Sequence, residues 1–365
     1  MRATDGGPTG LRRLIGLVGA VALVTAACGG TGASTAPSAV PSTEASAAPS
    51  VELSAAPSAA TGPLEIAYLS FAVANSYDAP MLAAAQAAAA AGDAKLTVFD
   101  ANLDPAAQTK QLQDAVASGK YDGIITQPLF GAGLVAGVEE AIGAGIGVAN
   151  IDQILGEDQT TEASQVDGLL ANVAFVPKTL GTKIGDLVVK ACEEQAANPC
   201  KVGYIYSVKA AALDTTLKQA FDEVTAGKNI EVVAEGESFY TTALGLKASQ
   251  DMLAANPDLN VIVGADQAIT GAVQAVADAG VAEAVDLVGY GGGAIALQGI
   301  KSGQRYGTVM QMPATEGRLG TEQLIQSLRT GEIFEGMDPL DDLPEGGVVT
   351  AANVDTFLPL AEWPG

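Results

Sequence analysis

The sequence predicts an α/β protein with two doubly wound, parallel-sheet domains and a ligand cleft between them. Short apolar runs alternate with helix-forming segments from residue 64 onward, which is the order expected of successive βα units. The runs are apolar throughout and do not alternate with polar residues, as is typical of strands that helices cover on both faces. The pattern restarts near residue 180, which indicates two arrays of similar size.

The first array begins with a predicted strand at Leu64–Phe71. Its first helix, Pro80–Ala91, is rich in alanine and is followed by Gly92, a typical helix end. The further strands are predicted at Leu96–Phe99, Ile124–Thr126 and Gly147–Ile151. The further helices are predicted at Pro105–Ser118, which Gly119 ends, and Leu134–Ala144. These segments form one complete βα array.

The second array begins with a helix and has the same alternation. Its helices are predicted at Leu180–Glu194, Thr215–Thr225, Ala243–Asn256, Thr270–Gly280, Ala294–Ser302 and Thr315–Gly331. Its strands are predicted at Lys201–Tyr206, Ile230–Glu235, Val261–Gly264, Leu287–Gly289 and Gly307–Met310. A second parallel sheet covered by helices follows from this order.

The N-terminus is typical of an export signal that ends in a lipidation site. Arg12 and Arg13 precede the apolar stretch Leu14–Val24, which is shorter than the ~20 residues that a membrane-spanning helix needs. Two alanines stand directly before Cys28. Small residues ending in cysteine resemble a lipobox, in which the thiol is acylated and the chain is cut before it, although Thr25 replaces the usual leucine. An ordinary secretory signal with an incidental cysteine is the alternative.

The segment after Cys28 predicts a spacer. Residues 29–62 are almost entirely alanine, serine, threonine, proline and glycine, a composition that buries too little apolar surface to fold. We therefore expect a flexible linker that holds an extracytoplasmic protein at the cell membrane through a lipid on Cys28. The export route, general secretory or twin-arginine, stays open.

The composition excludes several classes of function. The chain has 18 lysine and arginine residues against 42 aspartate and glutamate residues, a net charge of −24, which argues against nucleic acid as a partner. No histidine is present, so Ser-His-Asp and Cys-His catalysis and most catalytic zinc sites are excluded. We expect no metal and no cofactor. Cys192 and Cys200 are close in sequence and are predicted to form a structural disulfide in an oxidising compartment.

One glycine pattern superficially matches a dinucleotide-binding fingerprint. Gly289, Gly291 and Ala294 have the required spacing after a predicted strand. The pattern lies late in the chain, and the next strand, Gly307–Met310, carries no acid that could hold a ribose. We interpret it as a tight turn at the mouth of the cleft.

Five segments carry a resemblance to a known family: residues 75–77, 119–128, 149–152, 264–267 and 348–355. In this order they resemble type I periplasmic solute-binding proteins of the ribose- and galactose-binding kind, which serve ABC importers. The resemblance extends from Leu64 to Phe357 and implies two lobes joined by a three-strand hinge. The expected divisions are a signal peptide at 1–27, a linker at 28–62, an N-terminal lobe at 63–176 plus 312–342, and a C-terminal lobe at 177–311 plus 343–365.

Ligands of open α/β sheets bind beyond the carboxyl ends of the strands, and the resemblance implies nearly the same positions. The polar candidates there are Ser76, Tyr77, Gln127, Asp152, Gln153, Asp266, Gln267 and Gln311. Asp152 is expected to accept hydrogen bonds from ligand hydroxyls. Asp266 has an alternative role as a helix N-cap.

Three departures from the sugar-binding pattern leave the ligand open. Gln153 stands where arginine is common, and the helix that begins near Asp214 lacks another arginine. A later strand ends in glycine at Gly291 where aspartate is common. Because each arginine supplies a planar set of donors, a deoxysugar, a polyol or another small polar solute remains possible beside a pentose or hexose.

The sequence predicts a monomeric receptor, not an enzyme. We expect it to capture a sugar or sugar-like polyol by hinge closure and to deliver it to an ABC transporter permease. A lipoprotein that senses a ligand and signals to a membrane receptor would use the same cleft. An enzyme would need paired carboxylates, for which Asp152 and Asp266 are the candidates.

Overall fold

The computed structural model describes residues 62–365, and they form two α/β lobes with parallel sheets, which confirms the predicted fold class. The strands of the first lobe are Leu64–Ser70 (β1), Ala94–Asp100 (β2), Gly123–Thr126 (β3), Gly147–Asp152 (β4) and Ala171–Ala174 (β5). They lie in the order β2-β1-β3-β4-β5, and every neighbouring pair is parallel.

The second lobe has a six-stranded sheet. Its strands are Cys200–Tyr206 (β6), Ile230–Glu237 (β7), Val261–Ala265 (β8), Asp286–Gly291 (β9), Gly307–Met310 (β10) and Val348–Thr350 (β11). They lie in the order β11-β10-β9-β8-β6-β7, with β11 antiparallel to β10. Parallel pairing in the rest of the sheet brings the carboxyl ends of its strands to one edge.

Helices pack on both sheets. They are Asp78–Ala91 (α1), Pro105–Ser118 (α2), Gly131–Gly143 (α3), Pro177–Glu194 (α4), Ala212–Thr225 (α5), Thr242–Ala255 (α6), Asp266–Asp278 (α7), Ala294–Lys301 (α8), Pro313–Thr330 (α9) and Val354–Phe357 (α10). The ends of α2 follow from local signals: the Asp104 carboxylate accepts the N–H groups of Ala106 and Ala107, and Gly119 ends the helix with a φ of 59°.

Two strands, β5 and β11, were not predicted. The β5 segment is four residues long and contains a polar residue, Asn172, so it lacks the apolar run that marks the other strands. The Asn172 side-chain carbonyl accepts a hydrogen bond of 2.8 Å from the amide of Asn150 on β4. The side chain of Asn172, whose polarity made β5 hard to predict from the sequence, is therefore hydrogen-bonded by the neighbouring strand.

The chain crosses between the two sheets three times. The first crossing follows β5 and the second follows β10. The third lies between α9 and β11, and α9 packs on α1 and β4. The Asp338 carboxylate links two of them, because it accepts the N–H of Val176 at 2.9 Å and the N–H of Leu340 at 2.9 Å. These short connections position the strand ends of one lobe opposite those of the other.

The predicted disulfide between Cys192 and Cys200 is present in the structure. It joins the last turn of α4 to the start of β6, and both sulfur-bearing side chains are buried in the core of the second lobe. The start of β6 is the end of the sheet opposite the carboxyl ends of the strands, so the disulfide lies away from the cleft.

The predicted signal peptide, Cys28 and nearly all of the predicted linker lie outside the described residues. Within residues 62–365, none of the helices has both the length and the apolar character that crossing a membrane requires.

Candidate functional site

A cavity lies between the lobes, at the carboxyl ends of both sheets. Six of the residues that line it are aromatic: Phe71, Tyr77, Phe175, Tyr240, Tyr290 and Trp363. Its polar lining residues are Asn75, Asp78, Asp152, Gln153, Gln267 and Gln311. The remaining lining residues are Leu213, Ala265 and Gly291. Apolar walls with a few polar groups are typical of small-ligand sites.

Two carboxylates of the first lobe line this cavity. Asp152 is the last residue of β4 and has a φ of 71°, a left-handed conformation that is unusual for a residue with a side chain. Asp78 is the first residue of α1. Both side chains are buried, with 2% and 1% of their surface exposed. Buried carboxylates need hydrogen-bond donors, so their partners decide what the site can bind.

Gln127 donates hydrogen bonds to both carboxylates from a buried position outside the cavity lining. Its amide nitrogen donates to Asp78 Oδ1 and, at 3.2 Å, to Asp152 Oδ2. Its carbonyl oxygen accepts a 3.0 Å hydrogen bond from the hydroxyl of Ser70. Gln127 is fully buried and does not line the cavity. It therefore positions the two acids, because a single amide group fixes one oxygen of each.

A third carboxylate, Glu316 in the first turn of α9, lies behind this pair and has no exposed surface. The Tyr77 hydroxyl donates a hydrogen bond of 3.3 Å to Glu316 Oε2. Tyr77 thus connects the cavity, which its ring lines, to an acid that the cavity does not reach.

Burial is the main cause of a raised pKa in all three acids. Burial raises the pKa of Asp152 to about 7, although hydrogen bonds from Gln127 and Tyr77 oppose the rise. Burial, and then the charge of Asp152, raise the pKa of Asp78 and of Glu316 well above their usual values. Burial of three acids in one region therefore opposes full ionisation of the cluster near neutral pH.

The second lobe contributes aromatic and amide groups to the opposite wall. The hydroxyl of Tyr290 at the end of β9 is hydrogen-bonded to Ser207 at 2.8 Å. Tyr240 lines the cavity from a turn in which Phe239 and Tyr240 both have positive φ, 47° and 54°. Gln267 and Gln311 add amide groups that can both donate and accept. This wall offers ring faces and neutral hydrogen bonds but no carboxylate.

The C-terminal segment closes one side of the cavity. The Trp363 indole N–H donates to the carbonyl of Gly291 at 2.9 Å, and its ring meets the ring of Tyr77 edge-on at 5.4 Å between centroids. The Glu362 carboxylate accepts the N–H of Thr315 on α9 at 2.9 Å. The segment therefore contacts both lobes.

Trp363 also explains the missing aspartate at the end of β9. A Cβ atom on Gly291 would lie 2.6 Å from Trp363 Cζ2, and Gly291 has a φ of 131°. No side chain fits there without moving the indole ring. The position that resembles a carboxylate-bearing one in sugar binders is thus filled by an aromatic ring from the end of the chain.

Asp266 has a structural environment of its own. Its carboxylate binds Arg305 at 3.0 Å, the N–H of Gly292 at 2.6 Å and the hydroxyl of Thr308 at 3.1 Å. It is fully buried and does not line the cavity, and it does not cap α7, whose N-cap residue is Ala265. Asp266 holds the turn of Gly291 and Gly292, which both have positive φ.

The structure brings five of the eight predicted ligand residues to the cavity: Tyr77, Asp152, Gln153, Gln267 and Gln311. The other three, Gln127, Asp266 and Ser76, do not line the cavity. Gln127 is hydrogen-bonded to the two acids, Asp266 is paired with Arg305, and Ser76 is partly buried. Contact of any of the eight with a ligand stays a prediction.

Asp78 and five of the six aromatic residues that line the cavity were not predicted from the sequence. Asp78 follows the motif Asn75–Tyr77 directly, so its position was a signal that could have identified it. Phe71 follows the first strand in the same way. Trp363 gave no such signal, because it follows no strand and reaches the cavity only through the fold of the C-terminal segment.

Residues 66–333 match a family model described as a periplasmic binding protein domain. Among curated relatives, the ribose import binding protein RbsB of Bacillus subtilis (strain 168) is 24% identical over 229 residues, 62% of this chain and 70% of that protein. The D-allose-binding periplasmic protein of Escherichia coli (strain K12) is 27% identical over 255 residues, 67% of this chain and 76% of that protein.

Two solved structures share the fold. An ABC transporter solute-binding protein from Mycobacterium smegmatis, with bound glycerol, superposes with a TM-score of 0.69 at 24% identity and covers 83% of this chain and 100% of its own. One from Bacillus halodurans C-125, with bound myo-inositol, has a TM-score of 0.71 at 18% identity and covers 83% of this chain and 99% of its own.

Proposed function

The chain belongs to the periplasmic binding protein domain family, and from this premise we propose that it is a receptor for a small polyhydroxylated solute. In this proposal the solute binds in the cavity between the lobes, the lobes close on it through the three crossings, and a membrane permease of the ABC importer type accepts the closed form. The protein acts as a monomer and performs no chemical step on its ligand.

The observation that carries this proposal is the pairing of Asp78 and Asp152 in a cavity that six aromatic residues also line. Carboxylates accept hydrogen bonds from hydroxyl groups, and the ring faces cover the apolar C–H surface of a sugar or polyol. Amide groups from Gln267 and Gln311 add donors from the second lobe. A ligand with several hydroxyls satisfies all of these groups only when both lobes contact it.

The relatives support this ligand class. Ribose and allose are in the names of curated relatives, and glycerol and myo-inositol are bound in solved structures with the same fold. All four compounds carry hydroxyl groups on adjacent carbons. The missing arginines at Gln153 and in α5, where Leu213 reaches the cavity, set this site apart from the pattern of sugar binders described above.

The test is a titration of the purified protein with ribose, allose, glycerol and myo-inositol, followed by calorimetry on any compound that raises the melting temperature. We expect at least one to bind and Asp152→Ala to weaken it. Glu139→Ala, on an exposed face of α3, is the matched control and should bind normally. If no hydroxylated compound binds, or if one is bound and converted to a product, the proposal is wrong.

We also propose that the mature protein begins at Cys28 and is held at the membrane by a lipid on its thiol. The small residues before Cys28 and the composition of residues 29–62 support this anchor. Mass spectrometry of the N-terminal peptide from the membrane fraction should find a diacylglyceryl thioether. Cys28→Ala should release or mislocalise the protein and leave its ligand affinity unchanged; a soluble product cut at another residue would contradict the anchor.

A further inference from the structure

The cavity has an unbalanced charge. Asp78 and Asp152 line it, Glu316 lies behind Tyr77, and no lysine or arginine of residues 62–365 is among its lining residues. The buried guanidinium of Arg305 lies in the second lobe and is paired with Asp266. A mainly apolar cavity with two carboxylates and no cation among its lining residues favours positive charge in its ligand.

Two other buried carboxylates, Asp266 and Asp214, have protein partners on both oxygens, whereas Glu316, which the cavity does not reach, has an Oε1 without a hydrogen-bond partner within residues 62–365. Asp266 has a guanidinium, a backbone N–H and a hydroxyl. Asp214 accepts the N–H groups of Ser207 and Val208, at 2.6 and 3.0 Å. At Asp266 and Asp214 the fold thus supplies donors to the acids that it buries.

The acids of the cavity differ from this pattern. One amide, that of Gln127, serves both Asp78 and Asp152. The second oxygen of Asp78 has no hydrogen-bond partner among the described residues, although the residue is 99% buried and lines the cavity. A carboxylate oxygen left in this way is costly, and because Asp78 lines the cavity, a ligand there is the candidate donor.

The aromatic wall adds a second source of attraction for a cation. Tyr77, Tyr240, Tyr290 and Trp363 line the same cavity, and the faces of such rings attract ammonium groups, most strongly when water is excluded. Carboxylates and aromatic faces in one enclosed space together favour an ammonium group over a neutral hydroxyl.

We propose that the solute carries a protonated amine beside its hydroxyl groups, as an amino sugar or an aminated polyol does, and that the ammonium binds between Asp78 and Asp152. This rests on the proposed function and narrows its ligand class. The ammonium donates to the unpartnered oxygen of Asp78 and to Asp152, and the hydroxyls bind the amides of the second lobe.

The test uses pairs of probes that differ only in one hydroxyl or amine: D-glucosamine with D-glucose, and 2-amino-1,3-propanediol with glycerol. At pH 7.5 calorimetry should find the amine of at least one pair binding about tenfold to a hundredfold more tightly, the difference expected when a hydrogen bond becomes charge-assisted. Equal or tighter binding of both neutral partners overturns the inference and leaves the proposed function intact. If no member of either pair and none of the four hydroxylated compounds binds, both fail.

Two variants locate the ammonium. Asp78→Asn should remove most of the preference for the amine, so that the affinity for the amine falls by a larger factor than the affinity for its neutral partner, because the amide keeps the shape and loses the charge. Asp152→Asn is the second variant, and Glu139→Gln the exposed control; thermal melting confirms that each is folded. An amine preference that survives both cavity variants overturns the assignment to this pair.

The pH dependence provides an independent measurement. The ionisable groups that line the cavity or surround the pair are Asp78, Asp152, Glu316, Tyr68, Tyr77, Tyr240, Tyr290, Asp100, Asp338 and Glu362. All are acidic or phenolic, so acidification only removes negative charge from the site. Affinity for the amine should fall between pH 7.5 and pH 5.5, as the carboxyl group of Asp152, with a pKa of about 7, takes up a proton. An amine affinity that is constant or rises over this range contradicts the inference.

Discussion

The two lobes treat their buried acids in opposite ways. In the second lobe Asp266 is enclosed by Arg305 and neighbouring donors, and the disulfide of Cys192 and Cys200 closes the far end of the same lobe. In the first lobe Asp78 and Asp152 share one amide and line the cavity. The difference separates an acid that the fold pairs with a cation from acids that line the cavity and share one protein donor, although all of them are buried.

The largest effect on stability is expected when the buried acid of the second lobe, Asp266, is removed. Asp266→Ala leaves the Arg305 guanidinium buried without its partner, which should lower the free energy of unfolding by about 3–5 kcal/mol. Urea denaturation followed by circular dichroism measures this loss. Ligand affinity of the folded fraction should change less than in Asp152→Ala, because Asp266 does not line the cavity.

A double variant distinguishes loss of the pair from loss of packing. Asp266→Asn with Arg305→Met removes both charges together and should recover part of the stability that Asp266→Ala loses. If Asp266→Ala instead keeps its full stability and weakens ligand binding as strongly as Asp152→Ala, Asp266 acts in the site and the comparison between the lobes fails.

The disulfide tests whether the far end of the second lobe is independent of the cleft. Replacing Cys192 and Cys200 by alanine should lower the free energy of unfolding by about 2–3 kcal/mol, because the unfolded chain loses a short closed loop. Calorimetric melting measures the change, and reduction of the parent protein should reproduce it. Ligand affinity should stay within twofold of the parent; a larger change would couple the two ends of the lobe.

The acid of the first lobe gives the complementary test. Asp152→Ala should weaken binding of the cognate solute by about 1.5–3 kcal/mol, which is about tenfold to a hundredfold. It should destabilise the protein far less than Asp266→Ala, since burial already raises the pKa of Asp152 and the variant removes a costly charge. Titration calorimetry and urea denaturation of the same samples measure both effects. Binding within twofold of the parent would exclude Asp152 from the site.

The sequence predicted the fold and five of the fifteen residues that line the cavity. The α2 helix was predicted with correct ends because Asp104 and Gly119 specify them locally. Asp152 and Gln311 were identified because strand ends in open sheets meet at one edge. These features depend on short-range patterns and on a general rule of topology, both of which a single sequence contains.

The rest depends on contacts between distant segments. Whether Asp266 faces a ligand or an ion pair is decided by Arg305, which lies 39 residues further along the chain. The strand β5 was missed because its polar residue is satisfied by a neighbouring strand, and Trp363 because a terminal segment returns to Gly291, 72 residues away. No local pattern carries this information.

The return of Trp363 to the cleft has an optical consequence. It is the only tryptophan of the chain, it is 3% exposed, and it touches Tyr77 of the first lobe and Gly291 of the second. Its fluorescence therefore comes from one site, at the boundary between the lobes that we propose to close on the ligand. Opening would bring water to the indole and shift its emission to longer wavelengths, so the unlabelled protein contains its own reporter of cleft closure and can be followed in a stopped-flow instrument on the millisecond scale of domain motions.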